Sequence, residues 1–298
     1  MVLEHIFPEN WLERKGRYAF ILGIIYSIVG VLLASIIFRT DPALPAVAFT
    51  SLLLLPELYK IFSIEERKES MEKRISWRAL WNDDIELIRI YVFLFLGILL
   101  VYSVGSMILP TFQTNELFHQ QMDVRFNEAE LQSLSGQATS SSVFSGNLFW
   151  SLLSNNFFVL LACFIMALLT GDGAIFFITW NASVWGTVFG ITAKGASIFA
   201  GKHPFYFFGL VMLIVFPHMM IEAISYFLAA ISGSMISKDV ILEKFASDRF
   251  WEVFAFNIYL LLFALGFLLV GAIVETFVLK NVGLYQEIIR MMMLGLGL

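Results

Sequence analysis

Residues 206–231 read YFFGLVMLIVFPHMMIEAISYFLAAI and decide the class of fold. A hydrocarbon core about 30 Å thick takes roughly 20 apolar helical residues to cross. This run is longer than that, and Glu222 is its one charged residue. A backbone inside lipid must satisfy its own hydrogen bonds, which a helix does. The stretch therefore predicts a transmembrane helix.

Similar apolar runs lie on both sides of this segment. Of the 298 residues, 59% are apolar and 14% are charged, whereas soluble domains contain about 45–50% and about 25%. That composition excludes a soluble enzyme. The sequence predicts an all-α, polytopic transmembrane helix bundle of about seven spans, near residues 19–38, 43–62, 90–110, 148–170, 174–193, 206–231 and 253–277.

The second window is the least regular of the seven. It begins with Pro42 and Pro45 and also carries Pro56 and Glu57. Proline lacks the backbone N–H that a helix interior needs. A re-entrant hairpin over 43–62, which would leave six spans, is therefore the alternative for this window.

The spans divide the chain into four regions: a three-span N-terminal region (1–110), an external loop (111–147), a core of spans four to six (148–237), and the last span with an amphipathic tail (238–298). With seven spans, 13 Lys and Arg residues lie on the side of the N-terminus and 6 on the other. Basic residues are enriched in cytoplasmic loops. We therefore expect a multi-pass protein of the cell membrane, with a cytoplasmic N-terminus and an external C-terminus.

The segment 63–89 is the most charged connection between spans. Its charged first half is followed by Trp77 and Trp81 mixed with Arg and Asp. This pattern favours a helix in the cytoplasmic interface of the bilayer, and a docking surface for a protein partner is the alternative. The net charge of −5 gives no basic patch for nucleic acid.

Polar residues within apolar spans are expensive and need a reason. Asn155 and Asn156 lie in span four, Asn181 in span five, and His218 and Glu222 in span six, four residues apart and hence on one face. Glu57 and Glu275 lie near span ends, where we expect them to snorkel or to meet water. Pro217, next to His218, predicts a kink or break in span six.

Three interpretations of this polar cluster remain open. The side chains hydrogen-bond to one another and fasten the bundle, or they form a transport or proton-relay site, or they form a catalytic or metal site. One His and one Glu are too few for a metal site, and no His-Glu-x-x-His motif occurs. We therefore predict no catalytic residues, no metal and no cofactor.

Small residues form a second pattern. Gly186 and Gly190 make a Gly-x-x-x-Gly pair in span five, and such faces allow close helix approach. Internal packing is the expected use, and a face for a homo-oligomer is the alternative. Gly171 and Gly173 flank one residue between spans four and five, which predicts a tight turn and antiparallel neighbours.

Residues 149–237 resemble the stage II sporulation protein M family of integral membrane proteins. The resemblance rests on ordered features: Asn155-Asn156, the glycine turn at Gly171 and Gly173, Asn181 with Gly186, Pro217-His218 with Glu222, and the small residues Ala229, Ala230 and Gly233. The chain departs from the family pattern at Ala182 and Met219, where the family tends to have glycine.

The resemblance implies the helical fold and the Asn/His/Glu core. In endospore-forming bacteria the namesake of the family is a membrane scaffold for a peptidoglycan-degrading pair, whereas most of the wider family has no assigned role. We expect a non-enzymatic integral membrane scaffold or assembly protein. The alternative is a small-solute or ion transporter, or a membrane subunit of a larger transporter, using Glu222 and His218.

Overall fold

The computed structural model describes residues 16–71, 77–125, 144–242 and 247–297. Within these ranges every regular element is an α-helix, as the sequence predicts. The helices are α1 (Gly16–Ile37), α2 (Ala43–Met71), α3 (Trp77–Ile108), α4 (Thr111–Arg125), α5 (Gly146–Thr170), α6 (Ile175–Ala200), α7 (Pro204–Leu242), α8 (Asp248–Asn281) and α9 (Gly283–Leu296).

Seven of the described helices are long and apolar enough to cross a bilayer: α1, α2, α3, α5, α6, α7 and α8. The part of α2 that qualifies is Ala43–Lys60. It is one continuous helix, so this window is not a re-entrant hairpin. Pro45 lies in the first turn of α2, where a missing N–H leaves no helical bond unmade.

The helix α7 runs without interruption through Pro217. Of the two outcomes expected there, a break does not occur. Pro217 lies on the exposed side of α7, so its ring does not separate α7 from the helices that pack on the opposite side. Its missing N–H leaves the carbonyl of Leu213 without its usual helical donor.

The most buried span is α6, which packs against α3, α7 and α9. On one side of it α3 pairs with α1, and α1 pairs with α2. On the other side α7 packs against both α5 and α8. The expectation that spans four and five are close neighbours is wrong, because α5 and α6 make few contacts although a tight turn joins them.

The segment 63–89 is not a separate interfacial helix. Residues 63–71 continue α2, residues 77–89 begin α3, and 72–76 lie outside the described residues. The Trp81 ring packs edge-on against Phe263 of α8, with 5.5 Å between ring centroids. The start of α3 is thus attached to the bundle.

Two helices, α4 and α9, cover the same ends of the spans, beside the last turns of α3 and α6. In α4, Gln120 Nε2 donates to both carboxylate oxygens of Asp41 at 3.1 and 2.9 Å, and Gln121 Nε2 donates to Ala43 O at 3.3 Å. The rest of the predicted external loop, 126–143, lies outside the described residues. The tail forms the amphipathic α9, which buries Ile288 and Met292 against α6.

Candidate functional site

Glu222 lies at the contact between α7 and α8. Its side chain is 1% exposed, and a β-carbon added to Gly271 would lie 2.7 Å from Glu222 Cγ. Real β-carbons do not approach other atoms that closely, so α8 can adopt this position because residue 271 is glycine. The carboxylate is therefore enclosed by protein within the span.

His218 faces a different helix. It is also 1% exposed, and its ring lies edge-on to Trp185 of α6, with 6.2 Å between centroids. His218 and Glu222 lie one turn apart on α7 and together form a face broad enough to contact α6 and α8. The two residues thus lie where three spans meet.

Glu275 is a buried carboxyl group, although its position near the end of a span predicts contact with water. It is fully buried, and Glu57 is 4% exposed, so the expectation for both residues is wrong. Glu275 is four residues from Gly271, hence on the same face of α8 and one turn along from the contact with Glu222. The sequence does contain a signal for this burial, because small or apolar residues precede Glu275 on the same face of α8: Ala264, Leu268 and Ala272.

The asparagines do not all face the core. Asn156 is 7% exposed, Asn181 is half-buried and Asn155 is exposed. Asn155 Nδ2 donates to Asn156 Oδ1 at 3.3 Å, and Asn181 Nδ2 donates to Phe177 O of its own helix at 2.8 Å. Successive residues of a helix point about 100° apart, so Asn155 and Asn156 do not share a face, and the expectation of one cluster fails for Asn155.

The contact between α5 and α7 shows how far along the bundle Asn155 and Asn156 lie relative to Glu222. A β-carbon on Gly233 would lie 2.5 Å from Phe164 O, and the two helices run in the same direction because one span separates them in the chain. Glu222 lies 11 residues before Gly233 on α7, and the residue 11 positions before Phe164 on α5 is Leu153. Asn155 and Asn156 therefore lie within about one helical turn of the depth of Glu222. Asn155, Asn156, His218 and Glu222 therefore lie in the middle part of the spans.

Serine hydroxyls connect the helices nearer to the other end of α7. Ser232 Oγ donates to Asn257 O of α8 at 2.7 Å, and Ser234 Oγ donates to the carbonyl of Gly171. Asn257 Nδ2 in turn donates to Val253 O at 3.0 Å. These bonds fasten α7 to α8 and to the turn between α5 and α6.

The turn between α5 and α6 needs its glycines. Gly171 has φ of +79°, a conformation that L side chains rarely adopt. Gly173 N donates to Thr170 Oγ1 at 2.9 Å, and Asp172 between them is 5% exposed. The turn is thus a buried, bonded part of the bundle.

The glycine pair of α6 packs against α3. A β-carbon on Gly186 would lie 2.5 Å from Leu99 O and 2.9 Å from Tyr102 Cβ, and one on Gly190 would collide with Ser103 O and Ser106 Oγ. This face is therefore occupied within the chain, which leaves no room there for a second copy.

The described ranges contain no group of three or more His, Cys, Asp or Glu side chains that could hold a metal ion. The chemistry available in the middle of the spans is that of carboxyl groups, one imidazole and amides. Such groups can bond neighbouring helices to one another or bind and release protons.

The family model described as Stage II sporulation protein M matches residues 87–278. The match covers more than half of the chain, from α3 into α8. It is wider than the resemblance over 149–237 and includes Gly271 and Glu275. Neither a curated protein nor a solved structure matches the chain.

Proposed function

The chain belongs to the Stage II sporulation protein M family, and we propose that it works as a non-enzymatic scaffold in the membrane. In this role a rigid bundle of transmembrane helices holds other proteins in place beside or below it.

The enclosure of Glu222 against Gly271 is the observation that carries the proposal. Glu222 fills a contact between two spans, and Ser232 and Ser234 use their hydroxyls in bonds between elements. In lipid such bonds contribute about 0.6 kcal/mol on average and up to about 2 kcal/mol. Polar groups used in this way favour a structural role for the core.

The cytoplasmic ends of α2 and α3 are the surface that we assign to a protein partner. Both helices continue beyond their apolar parts into the charged segment 63–89, which holds 6 of the 19 Lys and Arg residues of the chain. The packing of Trp81 on Phe263 attaches this surface to α8. The same segment holds 7 Asp and Glu residues, so a partner with charged groups of both signs would complement it.

The first experiment uses the Glu222→Gln variant to distinguish a scaffold from a transporter. We expect the variant to unfold at a lower temperature in detergent than the parent, because it changes a buried contact. We also expect proteoliposomes of the parent protein to show no solute or proton flux above empty liposomes. Flux that depends on pH and is lost in a folded Glu222→Gln protein would overturn the scaffold proposal.

A transporter is the second candidate, and the burial of Glu275 favours it. Glu222 and His218 lie one turn apart on α7, and Glu275 of α8 lies one turn along from Gly271, which contacts Glu222. Carboxyl groups and an imidazole placed in this way also mark proton and ion pathways. The flux experiment with a matching Glu275→Gln variant tests this candidate directly, since loss of flux in both variants would assign both carboxyl groups to the pathway.

The second experiment tests the partner surface in native membranes. Replacing Arg67, Lys68, Lys73 and Arg74 by Glu should remove the proteins that co-purify with the chain. Replacing Lys202 and Lys280, which lie outside this segment, by Glu is the matched control and should leave them bound. Co-purification that is unchanged by the first set would contradict the assignment.

A further inference from the structure

The outward face of α5 carries polar residues in the middle of an apolar span. Ser151, Ser154 and Asn155 are all exposed, and their spacing of three and four residues puts them on one face of the helix. Asn155 is the tenth residue of α5, about 14 Å from its start at 1.5 Å per residue. That depth lies within the hydrocarbon region if α5 spans the bilayer.

Lipid is a poor environment for this face. The Asn155 amide donates one hydrogen to Asn156 Oδ1, and its oxygen and second hydrogen have no partner among the described residues. A polar group that leaves water without a partner costs free energy, and polar residues within spans almost always face protein or water-filled cavities. We therefore expect another protein surface to cover this face.

The glycine faces of α1 and α6 are already packed against another helix of the same chain. Gly186 and Gly190 pack against α3, and a β-carbon on Gly23 of α1 would lie 2.6 Å from Leu94 O of α3. In contrast, the outward face of α5 is exposed at Ser151, Ser154 and Asn155. Trp150 and Phe158, which flank the polar residues, are 66% and 65% exposed.

We propose that this face, formed by Ser151, Ser154, Asn155 and Phe158, is the interface between two copies of the chain. An amide and a hydroxyl each donate and accept, so the face is complementary to itself. Two copies inserted in the same orientation are related by a two-fold axis along the membrane normal, which puts each residue at the same depth as its equivalent. Asn155 of one copy then meets Asn155 of the other.

Cysteine cross-linking in native membranes tests the geometry. Asn155→Cys and Ser151→Cys should each give a product of twice the mass, because identical positions meet across the axis. Ile28→Cys is the matched control, since Ile28 is 45% exposed on α1 and far from α5 in the chain. The parent protein is the blank, because its one cysteine, Cys163, is buried.

The purified protein in liposomes tests the identity of the partner. We expect single-molecule photobleaching to show dimers, and Asn155→Leu to weaken the dimer about 3-fold to 30-fold, the range that corresponds to one bond between helices. Asn155→Gln keeps an amide and should stay close to the parent. The melting temperature of each variant reports whether its fold is intact.

Three outcomes would overturn the proposal. Cross-links no stronger than those of Ile28→Cys would place the two faces apart. Monomers in liposomes at every protein density would show that the chain does not associate by itself. Cross-links in native membranes to a product of another mass would assign the face to a different membrane protein.

Discussion

At the scale of single residues, glycine at position 271 decides whether a carboxylate fits inside the span. Glu222 is enclosed because α8 packs directly against its side chain. This close approach of α8 to α7 depends on the absence of a side chain at Gly271. The residue that carries the charge and the residue that makes room for it lie on different helices, 49 positions apart in the chain.

Gly271→Ala should therefore destabilise the protein. The added methyl group would lie 2.7 Å from Glu222 Cγ, and overpacking of this kind costs about 1–3 kcal/mol. The free energy of unfolding in mixed detergent micelles measures the effect.

Gly266→Ala on the same helix is the matched control. Gly266 has nothing within 4 Å of the added carbon, so the variant should be as stable as the parent or gain about 0.5–1 kcal/mol from better helix propensity. Equal stabilities for the two variants would show that the contact with Glu222 does not constrain α8.

At the scale of elements, the glycine face of α6 sets the order of the helices. It brings α3 and α6 into backbone contact, while Gly233 does the same for α7 and α5. These two contacts separate α5 from α6 although the chain joins them by a tight turn. Close packing of backbones outweighs adjacency in the sequence here.

Gly186→Ala should weaken the contact between α3 and α6. The new carbon would lie 2.5 Å from Leu99 O, and a backbone carbonyl cannot rotate away as a side chain can. We expect a loss of about 1–3 kcal/mol in unfolding free energy, with the same measurement as above.

Gly209→Ala is the control for this helix contact, because Gly209 of α7 has nothing within 4 Å of an added carbon. A Gly186→Ala protein as stable as Gly209→Ala would mean that α3 and α6 can move apart at little cost.

The helix α4 is held by a different kind of contact. Gln120 bonds Asp41 at the surface, and Phe118, which interrupts the helical geometry of α4, is buried beside Tyr102 with 5.3 Å between ring centroids. One apolar anchor and the side-chain bonds of Gln120 and Gln121 thus attach α4 to the start of α2 and the end of α3.

Gln120→Ala should loosen α4 without unfolding the bundle. An exposed hydrogen bond contributes about 1 kcal/mol, so amide hydrogen exchange in 111–125 should become a few times faster while α6 is unchanged. Glu116→Ala, on the exposed side of α4, should leave the exchange rates as they are. Faster exchange in α6 as well would show that α4 stabilises the whole bundle.

At the scale of the whole molecule, we expect the seven candidate spans to put residues 16 and 297 on opposite sides of the membrane. The distribution of Lys and Arg predicts that the N-terminus is cytoplasmic. The turn between α6 and α7 is then external, and the turn between α7 and α8 is internal.

Labelling of introduced cysteines tests this orientation. In intact cells, a membrane-impermeant maleimide should label Lys202→Cys at the first turn and should not label Asp248→Cys at the second before the membrane is opened. Both positions are exposed, and the buried Cys163 provides a low background. The reverse pattern would invert the proposed topology and move the partner surface to the outside.

Composition and the length of the apolar runs were sufficient to predict the helical fold and the seven spans. They are sufficient because the bilayer permits helices of a minimum length and little else, so each span is a local property of about twenty residues. Local sequence was also sufficient to predict the tight turn at Gly171 and Gly173. The same holds for the position of His218 and Glu222 inside a span.

The neighbours of each span were decided by tertiary packing. Which helices touch depends on how glycine faces, carbonyls and side chains fit across distances of many residues, and no local window contains that information. This is why the burial of Glu275, the outward direction of Asn155 and the separation of α5 from α6 emerged from the structure. Hydrophobicity places a helix in the membrane, and the shapes of the helix surfaces decide which side of it meets protein and which side meets lipid.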